Sequence, residues 1–597
     1  LDIGAQIREL REKQNIPLEE LALGICTVES LRNIELGKEV VNKLFMEIMF
    51  QRLGKSTDKL ELIVSEEVYE EEELKDSFEE CLERGDKDKA EEILSYFRKN
   101  ASEDSNVHKM FYYRSMAYAE FRLKQNSVKA KEWLQKALDL TIPGWRERPL
   151  ESFWISNIEV ENLLAYVKMQ LETGTEGTLN SAEEFLLNCR NYIDRKITDG
   201  EEHAKIFAKC AWLLAGVYLR RGERIRAEQL AEKAFQELQA YGISYFMEPL
   251  LETLIQCSED KMMNRPPYQR YLTALQHVKE YVGETRRFID SIFKNCSQQT
   301  YYLDYELFRE ERIAQGYSQE QMIEGVYKNP ESLSRAERGK VTMRDSKLIR
   351  LFRRLGIEKC RYNGFLVTDD YAVLELKQEV DILLSRNCFE EAEEKIEELK
   401  SRLDLNVSEN RRTIAGYEIN IGIVKKAEEK ELLLQKATDL LQETYRLKEK
   451  GVYRSPMDRE VELINVIGIL LCQMGRKEEA IQLFDMAAEM MKKSKVSIQK
   501  RYRTYTLLRS NLAKWLSSVS VAKENLEFTV VCGKLRSLPI NYMIIACAMI
   551  DIPANWEICR DMIKDSYYLC ELSCNNVNKE ITSQYYEKKF GAMVNED

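Results

Sequence analysis

Four small residues, Gly468, Gly475, Ala480 and Ala487, stand in the order Gly-(x6)-Gly-(x4)-Ala-(x6)-Ala. On a helical period this places small side chains where the two helices of a hairpin approach closely, with a turn glycine between them. The idea recurs in "GDKDKAEEILSYF" (Gly85 to Phe97), at Ala130/Leu134/Ala137, at Gly222/Ala227/Ala231/Ala234 and at Ala392/Ile396/Leu399. Large apolar residues at helical spacing fill the space between hairpins. Units of roughly 35–45 residues that cannot bury their apolar faces alone stack into a helical solenoid. Ten prolines and 25 glycines in 597 residues suit long helices and short turns. The expected fold class is all-α.

The pattern at 468–487 resembles the tetratricopeptide repeat (TPR), with about five units from 68 to 284 and about five more from 370 to 575. Several are degenerate, and Asn387 stands where one turn glycine is expected. A solenoid of another repeat class is the competing reading.

A second, longer repeat overlies the first. "RNIELGK" (Arg32 to Lys38) and "SRAERGK" (Ser334 to Lys340) each close a compact segment that opens on an Arg-rich helix and ends in Arg-Leu-Gly, at Arg52-Leu53-Gly54 and Arg354-Leu355-Gly356. In the later copy Ser318 is placed to cap a helix, with Gln321 completing a capping box. Gly325 permits a tight turn. Asn329 caps a third helix with Pro330 at its first position, and that helix ends at Gly339. Two short helices are expected to follow, through Leu348/Ile349 and Leu351/Phe352.

This unit resembles the phage-repressor (XRE-like) helix-turn-helix (HTH), over residues 3–59 and 304–361. In that family the third helix enters the DNA major groove. The resemblance implies a structural ion pair, Arg312 with Glu337 and Arg11 with Glu35. It implies phosphate contacts at Ser318 and Gln319, and at Arg338 and Lys340. The base-reading positions would be Pro330, Glu331 and Arg335, with Arg335 suited to a guanine edge. In the first copy Thr27 is the cap and a phosphate donor, and Val28, Glu29 and Asn33 are the reading positions. That copy departs further from the family: Asn15 replaces a glycine, Pro17-Leu18 replaces Ser-Gln, and Leu36 stands where the other has Arg338. In the later copy Ala336 stands where the first has Ile34.

Charge separates the copies as well. Residues 1–59 hold nine Lys/Arg against ten Asp/Glu; residues 301–361 hold 13 against 10. From Lys340 onward, Arg344, Lys347, Arg350, Arg353, Arg354, Lys359 and Arg361 face only Asp345 and Glu358. Phosphate neutralisation supplies most non-specific DNA affinity, so if one copy reads DNA it is the second. The alternative is that one or both are docking domains that keep the fold without the activity.

HTH followed by TPR units resembles the RRNPP family, the peptide-pheromone receptors of Gram-positive bacteria. The architecture read from the chain is HTH 1 at 1–60, TPR-like solenoid 1 at 61–284, a linker at 285–303, HTH 2 at 304–361 and TPR-like solenoid 2 at 362–597. In that family a short peptide lies in the concave groove and Asn side chains grip its backbone, since Asn offers donor and acceptor together. Phasing on the small residues places Asn162, Asn465 and Asn511 on inward-facing positions, with Arg220, Trp212, Lys514 and Trp515 on the same face. Solvated groove residues, or Trp packing within the solenoid, are the bland reading of each.

The resemblance implies double-stranded DNA and a short signalling peptide as partners, and an intramolecular pseudo-dimer, with further homodimerisation left open. A protein-interaction adaptor with degenerate HTH units is the second reading. An enzyme is not expected: there is no phosphate-binding glycine loop and no HExxH or GxSxG motif. The three histidines, His108, His203 and His277, adjoin no nucleophile motif. No cofactor or metal is expected, for the 14 cysteines form no CxxC pair or Cys/His cluster. The strongest apolar run, Met543 to Ile550, stops at Asp551, so no membrane span is expected. With no basic-then-apolar leader at the start of the sequence, a cytoplasmic location is expected. The acidic run Glu66 to Glu80 reads as the solvated face of the first solenoid helix.

Overall fold

The computed structural model describes residues 3–39, 42–101, 105–173, 176–258, 267–284, 299–343, 345–357, 361–362, 364–425, 429–445, 455–591 and 593–594. Arg344, Glu358 and Lys359 lie outside them, as does most of the expected linker. The chain divides into two units. One holds Leu1–Thr57 and Glu70–Leu272; the other holds Asp58–Tyr69, Thr273–Glu284 and Ser297–Asp597.

The first unit opens with four helices, α1 (Ile3–Lys13), α2 (Leu18–Ala22), α3 (Val28–Glu35) and α4 (Lys43–Arg52). Thr27 caps α3 by accepting from the Ser30 N–H, and Asn42 caps α4 by accepting from the Phe45 N–H. Ile7, Leu10, Leu21, Leu31 and Ile34 form the core of this module. Longer helices follow: α5 (Glu66–Arg84), whose first residues belong to the other unit, α6 (Lys87–Asn100), α7 (Asn106–Arg122), α8 (Ser127–Thr141), α9 (Asn157–Thr173), α10 (Glu176–Lys196), α11 (Gly200–Arg220), α12 (Arg224–Tyr241), α13 (Met247–Ser258) and α14 (Tyr268–Tyr281), which is divided between the two units.

In the second unit come α15 (Asp304–Ala314), α16 (Gln319–Ile323), α17 (Pro330–Ala336) and α18 (Asp345–Arg354). They are followed by α19 (Tyr371–Ser385), α20 (Phe389–Arg402), α21 (Ser408–Lys425), α22 (Lys430–Gln442), α23 (Asp458–Gln473), α24 (Lys477–Lys492), α25 (Tyr502–Leu516), α26 (Val519–Val531), α27 (Leu538–Met549), α28 (Trp556–Leu572) and α29 (Asn576–Phe590). The small-residue pattern does the work expected of it. A Cβ on Gly468 of α23 would stand 2.3 Å from the Phe484 ring of α24, and Ala480 and Ala487 are fully buried. Both units are thus almost entirely helical, each a small module followed by a solenoid-like run.

Three expectations need correction. First, α18 is one helix rather than two: Leu348, Leu351, Phe352 and Leu355 repeat at a single helical stripe, all buried, with no breaker between them. Second, the second unit contains a small sheet in the order β2-β1-β3, with β1 (Glu61–Val64), β2 (Thr300–Leu303) and β3 (Arg361–Tyr362). Strand β1 runs parallel to β2, with Glu61 opposite Thr300, and antiparallel to β3, with Glu61 opposite Tyr362. Its runs, Leu62-Ile63-Val64 and Tyr301-Tyr302-Leu303, are good strand formers but too short to show a period. Third, the acidic run forms the helix α5, with Glu66 and Glu67 in its first turn and Glu67 and Glu70 exposed, but it is not solvated throughout. Glu72 pairs with Lys43 and Lys75, and Glu79 is buried.

Candidate functional site

The two small modules share a set of tethering bonds. Arg11 Nε donates to Glu35 Oε1 at 2.6 Å, and Arg312 Nε to Glu337 Oε1 at 2.6 Å. Arg11 Nη1 donates to the Ile16 carbonyl at 3.1 Å, and Arg312 Nη1 to the Tyr317 carbonyl at 2.7 Å. Gln14 Nε2 donates to the Leu53 carbonyl at 2.9 Å, and Gln315 Nε2 to the Leu355 carbonyl at 3.1 Å. These bonds tie the first helix to the end of the third and to the Arg-Leu-Gly terminus. They carry the fold and leave the faces free to differ.

The faces do differ. Ser318 and Gln321 form the expected capping box, and Asn329 caps α17 through the Ser332 N–H, with Pro330 in the first turn. Glu331, Arg335, Arg338 and Lys340 are exposed along α17 and its end, and Ser318 is exposed at the start of α16. Arg338 donates to the Ser334 carbonyl and hydroxyl at 3.0 and 3.1 Å, which holds its stem along the helix. Gln319 is drawn inward: its Nε2 donates to Glu337 Oε2 at 2.6 Å.

On α3 the polar groups are already engaged. Asn33 Nδ2 and the Ser30 hydroxyl donate to the two carboxylate oxygens of Glu39, at 3.1 and 2.9 Å. Arg32 pairs with Glu29 at 3.0 Å. Thr27 is exposed but occupied as the cap, and Leu36 is 49% exposed where the other module has Arg338. Val341 follows Lys340 where Glu39 follows Lys38, so the second module lacks this carboxylate.

The modules also differ in what covers them. Arg52 at the end of α4 is buried: Nη2 lies 2.6 Å from Glu159 Oε1 of α9, and its other donors reach the Leu21, Leu23 and Thr141 carbonyls. Lys43 Nζ lies 2.8 Å from Glu72 of α5. A Cβ on Gly24 would stand 2.2 Å from the Thr141 carbonyl oxygen, and one on Gly54 2.3 Å from that of Lys196. The first module is therefore seated hard against its solenoid. In the second, Arg354 is exposed and a Cβ on Gly356 would meet nothing within 4 Å.

Each solenoid carries a charged ladder on alternate helices. In the first, Glu79, Arg114, Glu161 and Lys209 sit on α5, α7, α9 and α11; Arg114 lies 3.8 Å from Glu79 and pairs with Glu161, and Lys209 lies 3.2 Å from Glu161. All four are nearly sealed from solvent. In the second, Lys377 and Asp381 of α19 lie 2.9 Å apart, Arg503 of α25 bridges Asp381 and Glu462, and the Tyr417 hydroxyl donates to Asp381 at 2.8 Å. Burial alone would raise the Asp381 carboxyl, but Arg503 and Lys377 hold it well below the usual range.

The residues expected to grip a ligand are scattered by this arrangement. Asn465 and Asn511 come together, Asn511 Nδ2 donating to Asn465 Oδ1 at 2.6 Å. Asn162 is fully buried beside Met110, with its carbonyl oxygen unpaired. Trp515 packs on the solenoid core beside exposed Lys514, Trp212 packs edge-on to Phe246, and exposed Arg220 donates to the Leu171 carbonyl. The ladders went unread in the sequence, though charged residues inside apolar stretches such as Glu161 in "NIEVENLLAYV" were the available signal.

No family model matches the sequence, and no curated protein matches it. A solved structure that resembles part of the chain is the crystal structure of Bacillus thuringiensis PlcR in complex with the peptide PapR7 and DNA. The two are 17% identical, the match covers 47% of this chain and 98% of that one, and the TM-score is 0.32. A score at that level carries neither partner nor activity across. Among the described residues no helix is long and apolar enough to cross a membrane, and no three His, Cys, Asp or Glu side chains gather as a metal site. Among the described residues no cysteine is in a disulfide, and burial pushes the Cys210 thiol up to about 12.

Proposed function

We propose that the chain is a DNA-binding transcription regulator of the RRNPP type, a tandem duplication in which 1–60 and 304–361 are HTH domains and 61–284 and 362–597 are TPR-like solenoids. The matched bonds of the two modules support the duplication. Strand β1, which follows the first module, pairs antiparallel with β3, which follows the second. The segments that follow the two modules thus contribute to one sheet, which supports reading the chain as a pseudo-dimer.

The observation that carries the DNA reading is the capped helix α17. It presents Glu331 and Arg335 to solvent, with Arg338 and Lys340 at its end. Arg335 would read a base edge and Arg338, Lys340 and Ser318 would hold phosphates. The solenoids would sense a small ligand, a signalling peptide, and Asn465 with Asn511 is the best-assembled amide pair for its backbone. The ligand would act by changing the affinity or spacing of the modules. Selection of duplexes from a random pool by the full chain tests this reading; an asymmetric enriched motif is expected, and no enrichment at low salt overturns it.

A specific observation favours a narrower second reading for the first module. Its reading residue Asn33 is engaged by Glu39, Glu29 is paired with Arg32, and its α4 face is seated on the solenoid. It fits a docking domain better than a second reading head.

A further inference from the structure

Helices α4 and α18 have the same length, the same Arg-Leu-Gly ending and the same bond from Gln14 or Gln315 to that ending. In this register Phe45, Ile48, Gln51 and Arg52 of α4 correspond to Lys347, Arg350, Arg353 and Arg354 of α18. The face that is buried against a solenoid in the first module, with Phe45 and Ile48 sealed, is made of cations in the second. Arg350, Arg353 and Arg354 are exposed, and Lys347 is half-buried.

The cations are organised. Lys347 Nζ lies 4.1 Å over the Tyr327 ring, Arg354 donates to the Met322 and Glu324 carbonyls, and Arg350 Nη2 lies 3.2 Å from where a Cβ on Gly325 would stand. Lys347, Arg350 and Arg354 therefore converge on the end of α16 and the turn that leads to α17, and exposed Arg353 stands next to Arg354 on the same helix. Among the described residues none of the four has a carboxylate partner. Tyr327 lies two residues before Asn329, the cap of α17, so a duplex lying before the first turn of α17 would bring its backbone within reach of these long stems.

We infer that the α18 face is a second phosphate-binding surface of this module, holding the DNA backbone beside the segment that α17 reads. The inference rests on the reading of this module as a DNA-binding head. It assigns Lys347, Arg350 and Arg353 to affinity and leaves sequence choice to α17. Arg350 and Arg353 are exposed, Lys347 packs only over the Tyr327 ring, and the same positions are apolar or neutral where the face has a protein to cover it.

The test is a salt titration of random-duplex binding by the full chain and by the triple variant K347Q/R350Q/R353Q. Each lost phosphate contact lowers the slope of log affinity against log salt by about 0.9, so a fall of about two to three is expected, with the selected motif unchanged. The charge-keeping variant K347R/R350K/R353K should retain the slope; if it loses as much as the neutral triple, the loss is one of packing and the inference fails. An unchanged slope in the neutral triple, with Arg335→Ala still altering the selected motif, overturns this inference alone and leaves the face to an acidic protein. No salt-dependent binding by the unaltered chain overturns both this and the DNA reading.

Discussion

Arg52 and Glu159 form a sealed ion pair, Nη2 to Oε1 at 2.6 Å, that fastens the last helix of the first module to α9 of its solenoid. Arg52 also donates to three backbone carbonyls, and Glu159 accepts from the Ser156 N–H and hydroxyl, so the charges are bonded as well as paired. The equivalent Arg354 reaches only two carbonyls of its own module and is exposed. The arginine of the Arg-Leu-Gly ending is thus a joint in the first module and a surface cation in the second.

Removing one partner of a buried, hydrogen-bonded pair leaves an uncompensated charge, at a cost of about 3–5 kcal/mol. Arg52→Met should therefore destabilise the first unit by about that much, and Arg354→Met should stay within about 1 kcal/mol. The double variant R52M/E159L should recover part of the loss. Urea unfolding of each full-length variant measures this, and equal losses from Arg52→Met and Arg354→Met would refute the joint.

The glycines allow the same comparison without charge. Gly24, Gly54, Gly325 and Gly356 all have positive φ, at 72°, 71°, 65° and 72°, so alanine at any of them carries a backbone cost of about 1 kcal/mol. Only at Gly24 and Gly54 would the new Cβ meet backbone of the solenoid. Gly24→Ala and Gly54→Ala should lower the thermal midpoint clearly more than Gly325→Ala or Gly356→Ala, and similar shifts at all four would show that the backbone cost alone decides.

Gln6 is 2% exposed, and neither its amide nitrogen nor its amide oxygen has a partner. The corresponding position of the second module is Leu307, equally buried. Burying an unpaired amide costs about 1–3 kcal/mol by mutational measures, so Gln6→Leu should stabilise the first module by an amount in that range. A denaturation midpoint that fails to rise would mean the amide is satisfied in solution.

His203 of α11 makes a pH-dependent contribution. Burial would lower its pKa, but hydrogen bonds and attraction from Glu237 at 2.9 Å and Asp194 at 3.1 Å raise it on balance. Lys233 stands near both carboxylates, and Phe207 stacks on the ring. A raised folded-state pKa stabilises fully below the unfolded value of about 6.5 and loses that effect as pH rises through the folded value. His203→Gln should thus cost most near pH 5.5 and progressively less toward pH 8. A cost that grows with pH would contradict the assignment.

Much of this molecule was legible where the sequence repeats itself. Glycine and alanine spacing predicted the helical runs because close helix approach admits few residue types, as Gly468 against Phe484 shows. Caps at Thr27, Ser318 and Asn329 followed from local chemistry, and the ion pairs of Arg11 and Arg312 from a resemblance whose structural role the geometry repeats. What escaped was set by tertiary context. Strand β1 needs β2 and β3, from far along the chain, to exist at all. The burial of Asn162, and the different coverings of α4 and α18, depend on neighbours that no local pattern names.

The two reading faces invite a last comparison. Arg335 is exposed and, among the described residues, paired with no carboxylate, so Arg335→Ala should relax selection at one base pair, a loss of about 1–3 kcal/mol of discrimination. Asn33, its counterpart, has its amide held by Glu39, whose charge also repels phosphate. Asn33→Ala should leave the selected motif unchanged. Glu39→Val, which copies Val341, frees Asn33 and Ser30 and removes the repulsion; it should raise low-salt DNA affinity without changing the motif selected through α17. If Asn33→Ala instead erases half of the motif, the first module reads DNA despite the clamp, and Glu39 must swing aside when the duplex arrives.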